Sequence, residues 1–191
     1  MELKPALCLD LDGTIQHSNS GAKFITGPAD VALYPDVEAK LWEYRNEGYL
    51  IAGITNQGGV AYGFKTAQGF QDELDALMTQ FDSNPFHCVC RCYSHENGTV
   101  EPYNHRSLLR KPGIGMLAVI EAEAVIRGYT IDWDNSILVG DMEDDRQCAE
   151  NAGIAFQWAW NFFNRLNPSI EEIEADWDIW EQSDRDLYGD K

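Results

Sequence analysis

Apolar and polar positions fall in blocks along this chain, and the blocks change period in a regular order. Ala6-Leu7-Cys8-Leu9 is a short continuous apolar run ending in Asp10-Leu11-Asp12-Gly13-Thr14, the pattern of a buried strand broken by a turn. The polar, glycine-containing stretch from Gln16 to Ala29 reads as an excursion or small hairpin. Asp36 opens a helical pattern with Val37, Leu41 and Tyr44 on one face and Gly48 as its stop. A second apolar run, Tyr49 to Ile54, halts at Thr55-Asn56-Gln57-Gly58-Gly59. Thr66 is placed to cap a helix carrying Phe70, Leu74, Leu77, Met78 and Phe81 on one face. Phe86 to Cys92 reads as a third strand, and Pro112 suits the first turn of a helix through Met116, Leu117, Ile120 and Ala124 to Gly128. Ile137-Leu138-Val139-Gly140 is a fourth buried strand closed by Asp141, and a short helix then leads to Gly153 and the strand-like Ile154-Ala155-Phe156.

Strands that alternate with helices and are apolar throughout predict a mainly parallel sheet covered on both faces, an α/β, Rossmann-like three-layer sandwich. Ligands of such sheets bind at the carboxyl ends of the strands, where the polar clusters after strands one, two and four fall. The last stretch differs. From Glu171 to Lys191 there are nine acids and two bases, yet Ile170, Ile173, Trp177 and Trp180 recur at helical spacing. This divides the chain into a domain, 1–167, and an acidic amphipathic tail, 168–191. The tail reads as a final helix packed on the domain or as a docking helix for a partner.

The 191 residues suffice for one domain with a full core, and 44% hydrophobic residues make it globular. A formal charge of −18 repels nucleic-acid phosphates and membrane surfaces, but not a small phosphorylated substrate drawn in by a metal. Five cysteines form no disulfide framework, and no signal peptide or transmembrane run is visible, so the expectation is a reducing, cytoplasmic setting.

Asp10 and Asp12 carry the chemistry. Side chains at i and i+2 leave a strand on one face, so both carboxylates are expected in one site. Two acids so close repel unless a cation neutralises them, which asks for a metal ion, a proton shared between roles, or both. Beside a phosphate ester, Asp10 is placed to attack phosphorus and Asp12 to protonate the leaving oxygen. Thr55 offers a hydroxyl and backbone amides to phosphoryl oxygens, and Lys111 a positive charge. Asp141 adds an oxygen ligand for Mg²⁺, and Asp145, one helical turn on, would orient Lys111 or a metal-bound water.

Asp10-Leu11-Asp12-Gly13-Thr14, Thr55-Asn56-Gln57, Arg110-Lys111-Pro112 and Gly140-Asp141 with Asp145 resemble, in this order, the four motifs of the haloacid dehalogenase (HAD) superfamily. The second acid, Asp12, is similar to its phosphatase branch. The resemblance covers roughly residues 6 to 165 and implies a phospho-Asp10 intermediate and Mg²⁺ held by Asp10, Asp141 and the backbone carbonyl of Asp12. It also implies that Thr55, Asn56, Gln57, Arg110 and Lys111 contact the phosphate or substrate. The second and third motifs are similar to subclass III, which holds histidinol-phosphate and heptose-bisphosphate phosphatases and the 3′-phosphatase domain of polynucleotide kinase-phosphatases. With 55 residues between Thr55 and Lys111, no large cap domain fits.

Two departures from that pattern matter. The heptose and histidinol enzymes carry four zinc ligands whose places here read Cys92, Ser94, Ser107 and Leu109, so structural Zn²⁺ is not expected. Cys92, His95 and His105 are the candidates for a shifted site. Cys88, Cys90 and Cys92 share a strand face, as buried small apolar residues do. Without zinc, the loop from Tyr93 to Arg110 is expected to be held by packing alone. Second, Asn151 to Phe156 with Phe162-Phe163 is similar to the end of the polynucleotide 3′-phosphatase domain, whereas the net charge disfavours a nucleic-acid partner. The leading expectation is a phosphomonoesterase for a small phosphorylated metabolite. A polynucleotide 3′-phosphatase and a non-catalytic HAD-fold binding protein are the alternatives.

Overall fold

The structure, a computed structural model, describes residues 1–166; the tail at 168–191 and the helix expected in it lie outside the described residues. The chain runs through β1 (Glu2–Lys4), β2 (Ala6–Leu9), β3 (Gln16–Ser18), β4 (Val31–Leu33), α1 (Val37–Asn46), β5 (Leu50–Asn56) and α2 (Ala67–Met78). It continues through β6 (Cys88–Cys92), α3 (Gly115–Ile126), β7 (Tyr129–Ile131), β8 (Ile137–Gly140), α4 (Glu143–Ala152), β9 (Ala155–Trp158) and α5 (Ala159–Phe162). Five strands form one parallel sheet in the order β6-β5-β2-β8-β9. The α/β sandwich with a parallel sheet is thus the fold read from the hydrophobic blocks.

The continuous apolar character of β2 has a direct cause: both faces are covered. Leu7 and Leu9 face a core built with Val37 and Leu41 of α1, Phe70, Leu74 and Leu77 of α2, and Phe162 of α5. Ala6 and Cys8 face the other core, with Met116, Leu117, Ile120 and Ala124 of α3 and Cys148 and Ala149 of α4. Each large apolar side chain so buried contributes roughly 1.5–3 kcal/mol. The small residues Ala6, Cys8, Ala52, Cys90 and Cys92 gather on the α3/α4 side, and all five cysteines are free thiols. The cysteines of β6 therefore act as small core residues.

Local signals set the element ends. Thr66 caps α2 by accepting from the Gly69 amide at 2.9 Å, and Gly153 ends α4 at φ 70°. Asp36 precedes α1 but makes no side-chain cap; its carboxylate pairs with Arg165 instead. Pro112 does not open α3, which starts at Gly115, because the Lys111 segment is held by the site before the helix begins. The excursion after Asp12 is the antiparallel β3–β4 hairpin. The parallel pair of β1 and β7 lies outside the main sheet.

Between Asn56 and Lys111 the chain supplies α2, β6 and an irregular stretch at 93–110, with no separate cap domain. That stretch is not held by packing alone. Thr99 and Val100 both donate to the Ala61 carbonyl at 2.8 and 2.9 Å, and the His95 amide donates to Tyr103 at 3.0 Å. The rings of Tyr93 and Tyr103 meet edge to face at 5.6 Å. Hydrogen bonds to a loop leaving β5 tie this stretch to the domain.

Candidate active site

The strand order places the ends of β5, β2 and β8 side by side, and from these ends come Thr55, Asp10 and Asp141. Asp10 sits one residue past β2, its backbone amide donating to the Val139 carbonyl at 2.9 Å, which extends the β2–β8 ladder by one bond. Its side chain is buried. Asp10, Asp141 and Asp145 offer carboxylate oxygens that all lie within 4.8 Å of one another, the one such group of three or more possible metal ligands among the described residues.

Lys111 stands inside this group. Its buried Nζ donates to Asp10 Oδ1, pairs with Asp145 Oδ1 at 2.6 Å, and donates to the Ile54 carbonyl at 3.1 Å. Asn56 fixes the backbone that delivers it: the Asn56 amide donates to the Lys111 carbonyl and accepts from the Lys111 amide, both at 3.0 Å. Burial works against the charge on Lys111, but Asp10 and Asp145 more than offset it and hold the ammonium protonated. Burial also pushes Asp10 well above the usual carboxylate range, against the pull of Lys111 and with the charges of Asp145 and Asp141 adding to the rise. Asp141 is pushed up to about 7, by burial first and by the charge of Asp145 second.

Glycines make room for this crowding. A Cβ on Gly13, at φ 77°, would fall 2.1 Å from Asp141 Oδ2, and one on Gly140 would fall 2.3 Å from the Asp145 carboxylate. Three acids share one buried ammonium, so the site is short of positive charge. A hard divalent cation with oxygen ligands fits that deficit and that donor set.

Asp12 goes elsewhere. Its carboxylate is exposed and accepts from Gln16 Nε2 at 2.8 Å and from Gln57 Nε2 at 2.7 Å, so it stands beside the carboxylate group and outside it. Gln57 Nε2 also donates to Thr55 Oγ1 at 2.9 Å, which leaves the Thr55 hydroxyl proton available. Asn56 and Gln57, expected against phosphate, thus spend these amides on Lys111, Asp12 and Thr55. Arg110 lies over Gly58, where a Cβ would meet its Nη1 at 3.2 Å, and that buried nitrogen has no hydrogen-bond partner among the described residues. Asp145 is more central than expected, reaching both Lys111 and, through Oδ2, the Met142 amide at 3.1 Å.

Gln16 and Thr14 were not among the expected site residues. Thr14 Oγ1 donates to Asp141 Oδ1 at 3.1 Å. The signal for Gln16 is an amide four residues after an acid across a glycine turn, too common a pattern to single out. Cys92, His95 and His105 do not converge: the Cys92 thiol faces the Ser94 carbonyl at 3.7 Å, the His95 ring meets the Tyr62 hydroxyl, and His105 lies against Pro102 and Ser94.

An α/β sheet with acids after its first and fourth core strands and a lysine between them defines the class, a HAD-superfamily phosphatase. Comparison with known proteins agrees. The family model described as polynucleotide kinase 3 phosphatase matches residues 6–163, and the chain belongs to that family. It is 29% identical over 182 residues to the D-glycero-beta-D-manno-heptose-1,7-bisphosphate 7-phosphatase of Escherichia coli K12, covering 91% of this chain and 87% of the relative. To the corresponding alpha-anomer enzyme of Photorhabdus laumondii it is 30% identical, over 76% of each chain. A crystal structure described as a HAD-like phosphatase from Mesorhizobium loti superposes with a TM-score of 0.68 at 28% identity, covering 81% of this chain and 71% of that one. The D,D-heptose 1,7-bisphosphate phosphatase of B. bronchiseptica, complexed with magnesium and phosphate, shares the fold with a TM-score of 0.60 at 23% identity, over 82% of this chain and 79% of that one.

Proposed function

We propose that this phosphatase is a Mg²⁺-dependent phosphomonoesterase that works through a phospho-Asp10 intermediate on a small phosphorylated metabolite of the sugar-phosphate kind. The observation that carries the reading is the buried Lys111 ammonium between Asp10 and Asp145, in a cluster of three carboxylates that this one ammonium leaves short of positive charge. Asp10 and Asp141 would hold the ion, with the Asp12 carbonyl, and Asp145 is in reach of the same site. The bound cation would neutralise phosphoryl oxygens.

The chain's own residues then divide the work. Asp10 attacks phosphorus as the bond to the leaving oxygen breaks, and Asp12 gives that oxygen a proton. Water next attacks the phosphorus of phospho-Asp10, Asp12 takes its proton, and inorganic phosphate leaves with the Asp10 carboxylate restored. Lys111 keeps Asp10 aimed, and the free Thr55 hydroxyl proton meets a phosphoryl oxygen. The names of the curated relatives favour a sugar bisphosphate over a nucleic-acid end, as does the charge of −18.

Hydrolysis of an aryl phosphate is the first test. Activity is expected with Mg²⁺, and Asp10→Asn or EDTA is expected to reduce it by at least about a thousandfold. Undiminished hydrolysis in either case would overturn the mechanism.

A further inference from the structure

We infer that Arg165, beyond α5 and far from the reacting groups in sequence, is a positioning residue for the Asp12–Thr14 turn and, through it, for Asp141. The inference rests on the proposed Mg²⁺ reading of the site. After α5 the chain reverses at Asn164, at φ 55°, a left-handed conformation that Asn tolerates, and the Arg165 amide donates back to the Trp160 carbonyl at 2.8 Å. This turn aims the Arg165 side chain inward. Its guanidinium lies over the rings of Tyr34 and Phe163, 3.9 and 4.3 Å from their centroids.

All three donor directions of the fork are used. Nε and Nη2 donate to the two oxygens of Asp36 at 3.0 and 3.1 Å, and Nη1 donates to the Thr14 carbonyl at 2.7 Å. Two rings and a bidentate carboxylate thus fix the guanidinium before it meets the turn. Thr14 is fully buried, and its hydroxyl donates to Asp141 Oδ1 on the other side. Gly13 packs against the same Asp141 carboxylate so closely that no Cβ would fit. The turn is therefore gripped from outside by Arg165 and presents its inner side to the acid proposed to bind Mg²⁺.

Without the guanidinium, a buried carbonyl loses its donor, and the turn bearing Asp12 and Thr14 gains freedom. Loss of a purely structural residue would lower stability and leave the folded fraction fully competent. Loss of a positioning residue also weakens Mg²⁺ binding and slows turnover in the folded protein.

The test compares wild type, Arg165→Met, which keeps the apolar stem, and Arg165→Lys, which keeps the charge without the fork. Mg²⁺ affinity is measured by calorimetry without substrate, kcat and KM with an aryl phosphate, and folding by denaturant titration in EDTA. We expect Arg165→Met to raise the Mg²⁺ dissociation constant and lower kcat by roughly tenfold each, with KM within about twofold. Arg165→Lys should fall between, and added guanidinium should restore part of kcat to Arg165→Met. Folded Arg165→Met with wild-type Mg²⁺ affinity and kcat would overturn the positioning role while leaving the proposed function intact. If Arg165→Met does not fold, folded Arg165→Lys with wild-type values overturns it equally. A wild type that binds no Mg²⁺ would overturn both.

Discussion

At the scale of single residues, the site is a set of carboxylates given different environments. Asp10 is buried against a lysine, whereas Asp12 is exposed and held by two primary amides. The general-acid role proposed for Asp12 requires it to point at the leaving oxygen in one step and at water in the next, so its rotamer matters more than its burial. Gln16 and Gln57 each hold one oxygen of Asp12. Replacing either with Ala is expected to lower kcat by about tenfold with little change in KM, and the double variant should lose less than the product of the two, because both act on one carboxylate. Steady-state kinetics on the three variants checks this; losses confined to KM would place the amides on substrate instead. Lys111, from the irregular stretch before α3, and Asp145, within α4, come from outside the strands, and only the places of Asp10, Thr55 and Asp141 at strand ends were legible in the sequence, from the apolar runs that precede them. The roles of Asn56 and Gln57 were not, since a side-chain amide reads the same whether it faces a ligand or a neighbouring backbone.

Among the elements, the alternation of apolar runs with helical stripes was enough to recover the strands of the sheet and its main helices. The three-residue strands β1 and β7 escaped, as did the start of α3, because tertiary contacts decide elements that short. The β5–β6 edge holds a titratable group that periodicity could not have shown. The His87 amide donates to the Ile51 carbonyl at 2.8 Å, and His87 Nδ1 accepts from the Ile51 amide at 2.9 Å. That acceptor role requires the neutral ring. Burial, aided by the nearby Arg45 charge, pulls the imidazole down to about 4. Between that value and the ordinary value of about 6.5, the unfolded chain binds the proton and the folded chain does not. The His87 contribution is therefore present above the ordinary value and is lost as pH falls toward 4. Denaturant midpoints should decline over that window in the wild type and decline less in His87→Gln; parallel curves would remove the role.

For the molecule as a whole, two signals about substrate point in different directions. The matching family model is described by a polynucleotide activity, whereas the curated relatives described above are sugar-bisphosphate phosphatases. Electrostatics separates the two readings, because a chain with net charge −18 repels every anion it approaches, and repels a polyanion most. The cations near the site, Lys111 and Arg110, lie at least partly buried and cannot track a phosphate backbone across the surface. A nucleic-acid enzyme with a basic track loses affinity steeply as salt rises, through counterion release. This protein is expected to do the opposite. With a sugar phosphate at saturating Mg²⁺, kcat/KM should rise about two- to threefold between 10 and 150 mM salt, as screening shortens the reach of the repulsion to roughly 8 Å. A 3′-phosphorylated oligonucleotide should be hydrolysed at least about a hundredfold less efficiently at either salt concentration. Preferential cleavage of the oligonucleotide, with a rate that collapses as salt is added, would reverse the substrate assignment. The phosphatase chemistry of the site would stand, and only its target would change.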